Sequence, residues 1–389
     1  MAYCVGVDIA KYEHVASVTD SSSGELIVDS LHFDNSLKGF KQLLSSLSKL
    51  NKDKVIIGFE STAHYHQALF SYLTGKHYRC YLINPLMISR FRSVSLRDSK
   101  NDNIDSRAIS QFLLLEHRRL IEEEFRMNEL KELCLQRSFL IESSTRLKIK
   151  LVSYLDRVFP ELCKTIPDGT LYTKGVYAIL KECSTAYRIS STRIDHLINV
   201  TKKASNGKYK ESMVRKIKEA AASSIGFDSD ALAIKIRQSI ESLEAYKRQI
   251  DEISAAITDH ESVIHSPLFQ IKGINAIEIG YIMSAIISID RFDSPKKLVA
   301  YAGLDPKVRQ SGTWSASKTR MSKRGNALLR YALIWTANNI RKHPSKMKEY
   351  YELKRSQNKL HYNALGHCAA KLCHYIFWIL NNPDKQFIN

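Results

Sequence analysis

Tyr3-Cys-Val-Gly-Val-Asp-Ile-Ala10 is an apolar run interrupted by one acid, Asp8. A run of this length rich in Val and Ile reads as a buried strand, where an ionised carboxyl is costly unless something partners it. Working outward, His14 to Thr19 is a second strand, Ser21-Ser-Ser-Gly24 a turn, and Leu26 to Phe33 a third strand, together an antiparallel meander. Ser36 to Leu50 places Leu37, Phe40, Leu43, Leu44 and Leu47 at helical spacing. Val55 to Phe59 is a fourth strand ending at Glu60, Ala63 to Leu73 a helix, and Tyr78 to Ile83 a fifth strand stopped by Asn84-Pro85. A helix from Asp102 to His117 closes the unit. The order β-β-β-α-β-α-β-α predicts an α/β, RNase H-like N-terminal domain.

The chain has 389 residues, too many for one ordinary core, so two or three domains are expected. We expect a metal-binding domain over 1–120, a helical linker and coiled coil over 121–265, and a mostly α C-terminal domain over 266–389. Phe125 to Phe159 is helical in pattern, and the stretch near 161–228 reads as a polar, irregular insert with a basic segment from Lys202 to Lys218. From Ala231 to Val263, Ile234, Ile236, Ile240, Leu243, Tyr246, Ile250, Ile253 and Ile257 predict one long amphipathic helix, suited to a coiled-coil partner. Farther on, helices are expected over Ala276 to Ile287, Asn326 to Lys342 and His361 to Leu380. Ile271-Lys-Gly-Ile-Asn275 has the look of a helix-hairpin-helix turn; an ordinary helix start fits it equally.

The formal charge is +18, which points to a polyanionic partner. Between Lys296 and Cys373 seventeen Lys and Arg face three acids, so that stretch alone carries +14. Seven scattered cysteines without a C-x-x-C pair argue against a disulfide framework or a zinc finger. The sequence shows no signal peptide and no run of eighteen apolar residues, so the expectation is a cytoplasmic, nucleoid-associated protein without a membrane span.

Two constellations carry chemistry. Asp8, Glu60, Asp102 and Asp105 are acids at one strand, one strand end and one helix start. With the first and fourth strands adjacent and the closing helix across them, the four converge. Clustered carboxylates attract hard divalent cations, and two ions about 4 Å apart clamp a phosphodiester. Taken singly, Asp102 and Asp105 also suit a helix N-terminus and Glu60 a cap, but capping does not explain Asp8. The second constellation is Leu298-Val-Ala-Tyr-Ala-Gly-Leu-Asp-Pro306, Arg309-Gln-Ser-Gly312 and Ser322-Lys-Arg-Gly-Asn326. Ser311, beside Gly312 and among Arg309, Lys318, Arg320, Lys323 and Arg324, is a hydroxyl in positive surroundings able to neutralise phosphate. On chemistry alone, a phosphate contact and a nucleophile both stand. His64, His66 and His77 lie near Glu60 in sequence but are expected to be solvated or packed. Trp335, Trp378 and Tyr350-Tyr351 are expected to make helix contacts, and Arg341 to Arg355 to touch phosphate.

V-G-V-D-I-A-K, G-F-E-S-T and the spacing of Lys100, Asp102 and Asp105, followed by A-Y-A-G-L-x-P, R-Q-S-G and S-K-R-G-N, resemble the IS-one-ten family of insertion-sequence transposases, which includes the Piv DNA invertases. The resemblance covers about 1–160 and 230–380 and departs from it over 161–228. It implies that Asp8, Glu60, Asp102 and Asp105 bind Mg2+ and that Ser311 is the nucleophile, with Ser315 and Ser317 as rivals. It further implies a phosphoserine-linked DNA intermediate, a guide (bridge) RNA partner, and self-association as a dimer or tetramer. The competing expectations are a hydrolytic RuvC-like nuclease, in which water attacks and Ser311 only binds phosphate, and a non-catalytic nucleic-acid-binding protein.

Overall fold

A computed structural model describes residues 2–60, 64–83, 85–93, 102–116, 129–167, 170–306, 310–311, 314–315 and 320–387. The chain divides into two compact units, 1–127 and 128–389. The first is mixed α/β; the second is mostly helical.

In the first unit, β1 (Tyr3–Ile9), β2 (Glu13–Asp20), β3 (Leu26–Asp34), β4 (Val55–Glu60) and β5 (Arg79–Ile83) form one sheet in the order β3-β2-β1-β4-β5. β1 pairs antiparallel with β2 and parallel with β4, so it is central and covered on both faces. That position explains why its sequence is apolar throughout and does not alternate. On one face Val5, Val7, Ile57 and Phe59 meet α1 (Leu37–Leu47) and α2 (His66–Thr74) through Phe40, Leu43, Leu69 and Leu73. On the other, Cys4, Ile56 and Ile83 meet Ile88 of α3 (Pro85–Ser93) and Ile109, Phe112 and Leu113 of α4 (Asp102–Glu116). Pro85, expected only to stop a strand, opens α3. Proline suits a first helical turn because the missing N–H would have no partner there.

α4 crosses β1 very closely. A methyl group on Gly6 would overlap the backbone of Ser106 and Ser110. Both serines are buried and hydrogen-bonded across to β2: Ser106 Oγ to Ser17 Oγ at 2.8 Å and Ser110 Oγ to Thr19 Oγ1 at 2.9 Å. Small residues permit the approach, and pairing the hydroxyls removes the cost of burying them.

In the second unit, α5 (Glu129–Val158) ends just before Pro160. The region expected to be irregular is instead folded into α6 (Leu162–Thr165), α7 (Lys174–Glu182), α8 (Ala186–Ser191), α9 (Ile194–Ser205) and α10 (Glu211–Ala222). These helices share a core that includes Leu162, Val176, Leu180, Ile189, Leu197, Val214 and Ile217. Their brevity and many surface charges hid that core from periodicity. α11 (Asp230–Thr258) then runs back along α5: Tyr154 lies under Lys235, and Arg137 Nε donates to Ser254 Oγ at 2.8 Å. The long helix therefore finds a partner within its own chain. It stops at Thr258, short of the expected Val263, and a separate turn, α12 (Glu261–Ile264), follows.

The remaining core joins Leu130 and Cys134 of α5 to α13 (Ala276–Ile286), α14 (Pro295–Tyr301), α15 (Ala327–Ile340), α16 (Lys346–Ser356) and α17 (His361–Asn381). Gly273 has φ +90, and a Cβ there would meet the His343 ring. Only a short 3-10 turn, Pro267–Gln270, precedes it, and α13 starts with a capping box of Asn275 and Glu278. The turn is an ordinary helix start, with the Glu278 N–H already held by Asn275 Oδ1 at 2.9 Å. Among the described residues no helix is long and apolar enough to cross a membrane.

Candidate active site

The acids of the first unit are positioned by register. β1 and β4 run parallel with Val7 opposite Phe59, so Asp8 and Glu60 occupy the next step, at the carboxyl ends of adjacent strands. Side chains alternate along a strand, which puts both on the face of Cys4, Gly6, Ile56 and Gly58, the face that α4 covers. Both are half-buried.

The direction of α4 follows from its two hydroxyl pairs. Ser17 is level with Gly6 and Thr19 with Cys4; Ser106 meets the former and Ser110 the latter. The helix therefore runs antiparallel to β1, and its first turn lies toward the Asp8 end. Asp102 opens that turn and Asp105 falls in it, immediately before Ser106. The backbone thus brings the four sequence positions to one end of the sheet. Among the described residues no three His, Cys, Asp or Glu side chains gather closely enough to hold a metal ion. The donor set still suits a hard divalent cation in kind, being all carboxylate, and in position, at strand ends under a helix start.

Among the described residues His64, His66 and His77 form no group of three or more metal-ligating side chains: His64 packs on Tyr65 at 4.5 Å between ring centroids, His66 begins α2, and His77 sits in a turn with φ 59.

In the second unit, Ser311 lies on β6 (Gln310–Ser311), which pairs antiparallel with β7 (Trp314–Ser315), Ser311 opposite Trp314. The two strands form a hairpin, Ser311 ending the first and the rival Ser315 ending the second. The other rival, Ser317, together with Arg309, Gly312 and Lys318, lies outside the described residues. Arg320, Lys323 and Arg324 are exposed at the base, Lys323 with φ 54.

That base is built by residues the sequence reading passed over. Pro306 bridges Met321, Ser322 Oγ donates to Asp305 Oδ1 at 2.6 Å, and the Ser322 N–H donates to Asp305 O at 2.8 Å. Beneath it, the Asn326 N–H donates to Tyr301 O, Asn326 Nδ2 to Tyr301 Oη, and Tyr301 Oη to Ala285 O. A Cβ on Gly325 would overlap Tyr301 O, so the two motif segments cross with no room for a side chain. The signal was the pairing of A-Y-A-G-L-D-P with S-K-R-G-N, whose glycines and asparagine are the residue types a backbone crossing requires.

Elsewhere the aromatic residues make helix contacts. Trp335 meets Tyr281 edge-on, Trp378 packs on Phe387, and Tyr351 Oη bonds His361 Nδ1 at 2.7 Å.

A family model described as Transposase, of the DEDD type of IS110, matches residues 5–160. A second, described as Transposase IS116/IS110/IS902 family, matches residues 265–352. No curated protein matches the chain. The first match covers all four acids and the second covers the Ser311 hairpin and its base, in the order the motifs predict. Such a match implies DNA binding and use of a divalent metal. The chain belongs to the IS110 family of transposases.

Proposed function

We propose that the chain is an RNA-guided DNA transposase, or site-specific recombinase, that cuts and rejoins strands through a phosphoserine intermediate on Ser311. The observation that carries this reading is the antiparallel crossing of α4 over β1 at Gly6, which turns positions 102 and 105 toward Asp8 and Glu60.

The sheet order and the closing helix support an RNase H-like, RuvC-like assignment for residues 1–120. In this reading Asp8, Glu60, Asp102 and Asp105 hold one or two Mg2+ ions. Bound there, Mg2+ supplies charge neutralisation for the phosphodiester and for the oxygens that attack and leave. Ser311 Oγ loses its proton and bonds to phosphorus as the bond from phosphorus to one deoxyribose oxygen breaks; the departing oxygen takes up a proton. Rejoining is the reverse, with a new deoxyribose hydroxyl displacing Ser311. Arg309, Gly312, Lys318, Arg320, Lys323 and Arg324 contact the strand, the charges of the five cations offsetting that of the transition state.

The helical region 121–265 and the C-terminal domain 266–389 would bring copies together as a dimer or tetramer, with a guide RNA selecting target and donor DNA in the bacterial cytoplasm, at the nucleoid. The test incubates the purified chain with Mg2+ and labelled DNA carrying its element ends, together with RNA copurified from cells. Denaturing gels should show a covalent protein–DNA adduct that Ser311→Ala abolishes. Cleavage without an adduct would mean a hydrolytic nuclease, and binding without Mg2+-dependent cleavage a non-catalytic protein.

A further inference from the structure

Between the two matched regions stands the helical module of α6 to α10, which the family matches leave uncovered. Its cations fall into two sets. Lys181 pairs with Glu244 at 3.0 Å, Arg188 with Asp228 at 3.1 Å, and Lys218 Nζ donates to Ser190 O at 2.7 Å and to Thr192 O. Those three hold the module together.

Six further cations make no such contact, unlike Arg193, which pairs with Asp195 at 3.9 Å. From residue 202 to 218 there are seven Lys or Arg against one acid, Glu211. Setting Lys218 aside, Lys202, Lys203, Lys208, Lys210, Arg215 and Lys216 are all exposed, and among the described residues none forms an ion pair. They lie on the last turn of α9, the tight turn after it and the start of α10. Asn206 at φ 50 and Gly207 at φ 75 reverse the chain there, with the N–H of Gly207 donating to Lys202 O. Asn199, Lys202, Lys203, Asn206 and Gly207 line a surface recess of about 480 Å³. Six like charges in so short a stretch repel one another, and an external polyanion would offset that repulsion.

The surface also says which polyanion. On α9, α10 and the turn that joins them no large apolar side chain is exposed, and the exposed Tyr187, Ile225 and Phe227 lie outside those elements; Tyr209, the aromatic ring of the turn, packs against Gly175 instead. A protein interface needs a buried apolar or aromatic anchor, and single-stranded nucleic acid needs rings on which bases stack. Cations and amides alone suit the sugar-phosphate backbone of a double helix, bound without regard to sequence.

We infer that this face of the module is a docking surface for duplex DNA, gripping it away from the reacting phosphate. The inference rests on the proposed action on DNA, and duplex RNA is the rival occupant that the test separates.

The test compares the full chain with a variant carrying Lys202→Gln, Lys203→Gln, Lys208→Gln and Lys216→Gln, and with the corresponding Lys→Arg set. Binding to a random-sequence duplex of about 30 base pairs is followed by fluorescence anisotropy from about 0.05 to 0.2 M salt. The Gln variant should bind at least about tenfold more weakly at the lower salt, and its log–log salt slope should fall by about 2 to 4, near 0.9 per lost phosphate contact. The Arg variant should match the unaltered chain, and adduct formation on saturating DNA should persist in both. Equal affinity and slope in the Gln variant would overturn the inference, as would a larger loss on duplex RNA than on DNA. If the unaltered chain binds no DNA at all, the proposed function fails as well, so the two failures are distinguishable.

Discussion

Asp305 and Ser322 close the base of the Ser311 hairpin through two hydrogen bonds, one between side chains at 2.6 Å and one between backbones at 2.8 Å. Sixteen residues separate the partners, so this contact sets where the hairpin leaves the helical core. Asp305→Ala removes the side-chain acceptor and should cost about 1–2 kcal/mol of stability. The larger effect is on activity: covalent adduct formation should drop at least about tenfold, because small errors in positioning a reacting group are costly. Asp305→Asn keeps an acceptor oxygen and should recover most of it. An adduct rate unchanged in Asp305→Ala would show that the base does not position Ser311.

Gly6 governs the packing of α4 in the first unit. A methyl group there strikes backbone on α4, which has no rotamer to move out of the way. Gly6→Ala should destabilise the chain by about 2 kcal/mol or more and displace the first turn of α4, reducing Mg2+-dependent cleavage even under conditions where the fold persists. Urea unfolding and a cleavage assay on the same sample check both effects.

In the proposed metal site the carboxylates of Asp8, Glu60, Asp102 and Asp105 would repel one another when no cation is present. Mg2+ should therefore raise the melting temperature of the chain, since it binds the folded state. Asp8→Asn relieves some repulsion and deletes a ligand, so it should raise the melting temperature without Mg2+ and shrink the shift that Mg2+ produces. Differential scanning fluorimetry across a Mg2+ titration reads both. An undiminished Mg2+ shift in Asp8→Asn would remove Asp8 from the ligand set.

His14 is fully buried on β2 between Phe33 and Phe40, with Nδ1 accepting the Ala10 N–H. Burial lowers its pKa from the ordinary 6.5, so the folded protein holds it neutral. The unfolded chain takes up a proton below 6.5, and the folded one does so only at lower pH. Its contribution to stability is therefore present above 6.5 and lost as pH falls toward the folded value. Urea midpoints should decline as pH falls below 6.5, and His14→Gln should flatten that decline.

Local pattern carried much of this architecture. Val5, Val7, Ile57 and Phe59 face one core because strand side chains alternate, and Leu37 to Leu47 form a helix because their apolar spacing matches its turn. The module at 162–222 escaped notice because its short helices each bury only a few side chains, and their shared core appears only once they pack together. The hairpin at Ser311 escaped notice for a related reason: two-residue strands have no period to detect.

By itself the sequence determined the kinds and order of the elements in the first unit apart from α3, the acids at 8, 60, 102 and 105, and the motif pair around Ser311, since each depends on residue type and near-neighbour spacing. The tertiary structure decided that α4 runs against β1, that α11 folds back on α5, and that Asp305 and Ser322 meet. Those contacts join residues far apart in the chain, 89 positions in the case of Ser17 and Ser106, and only packing chooses among the many ways a chain can close such loops.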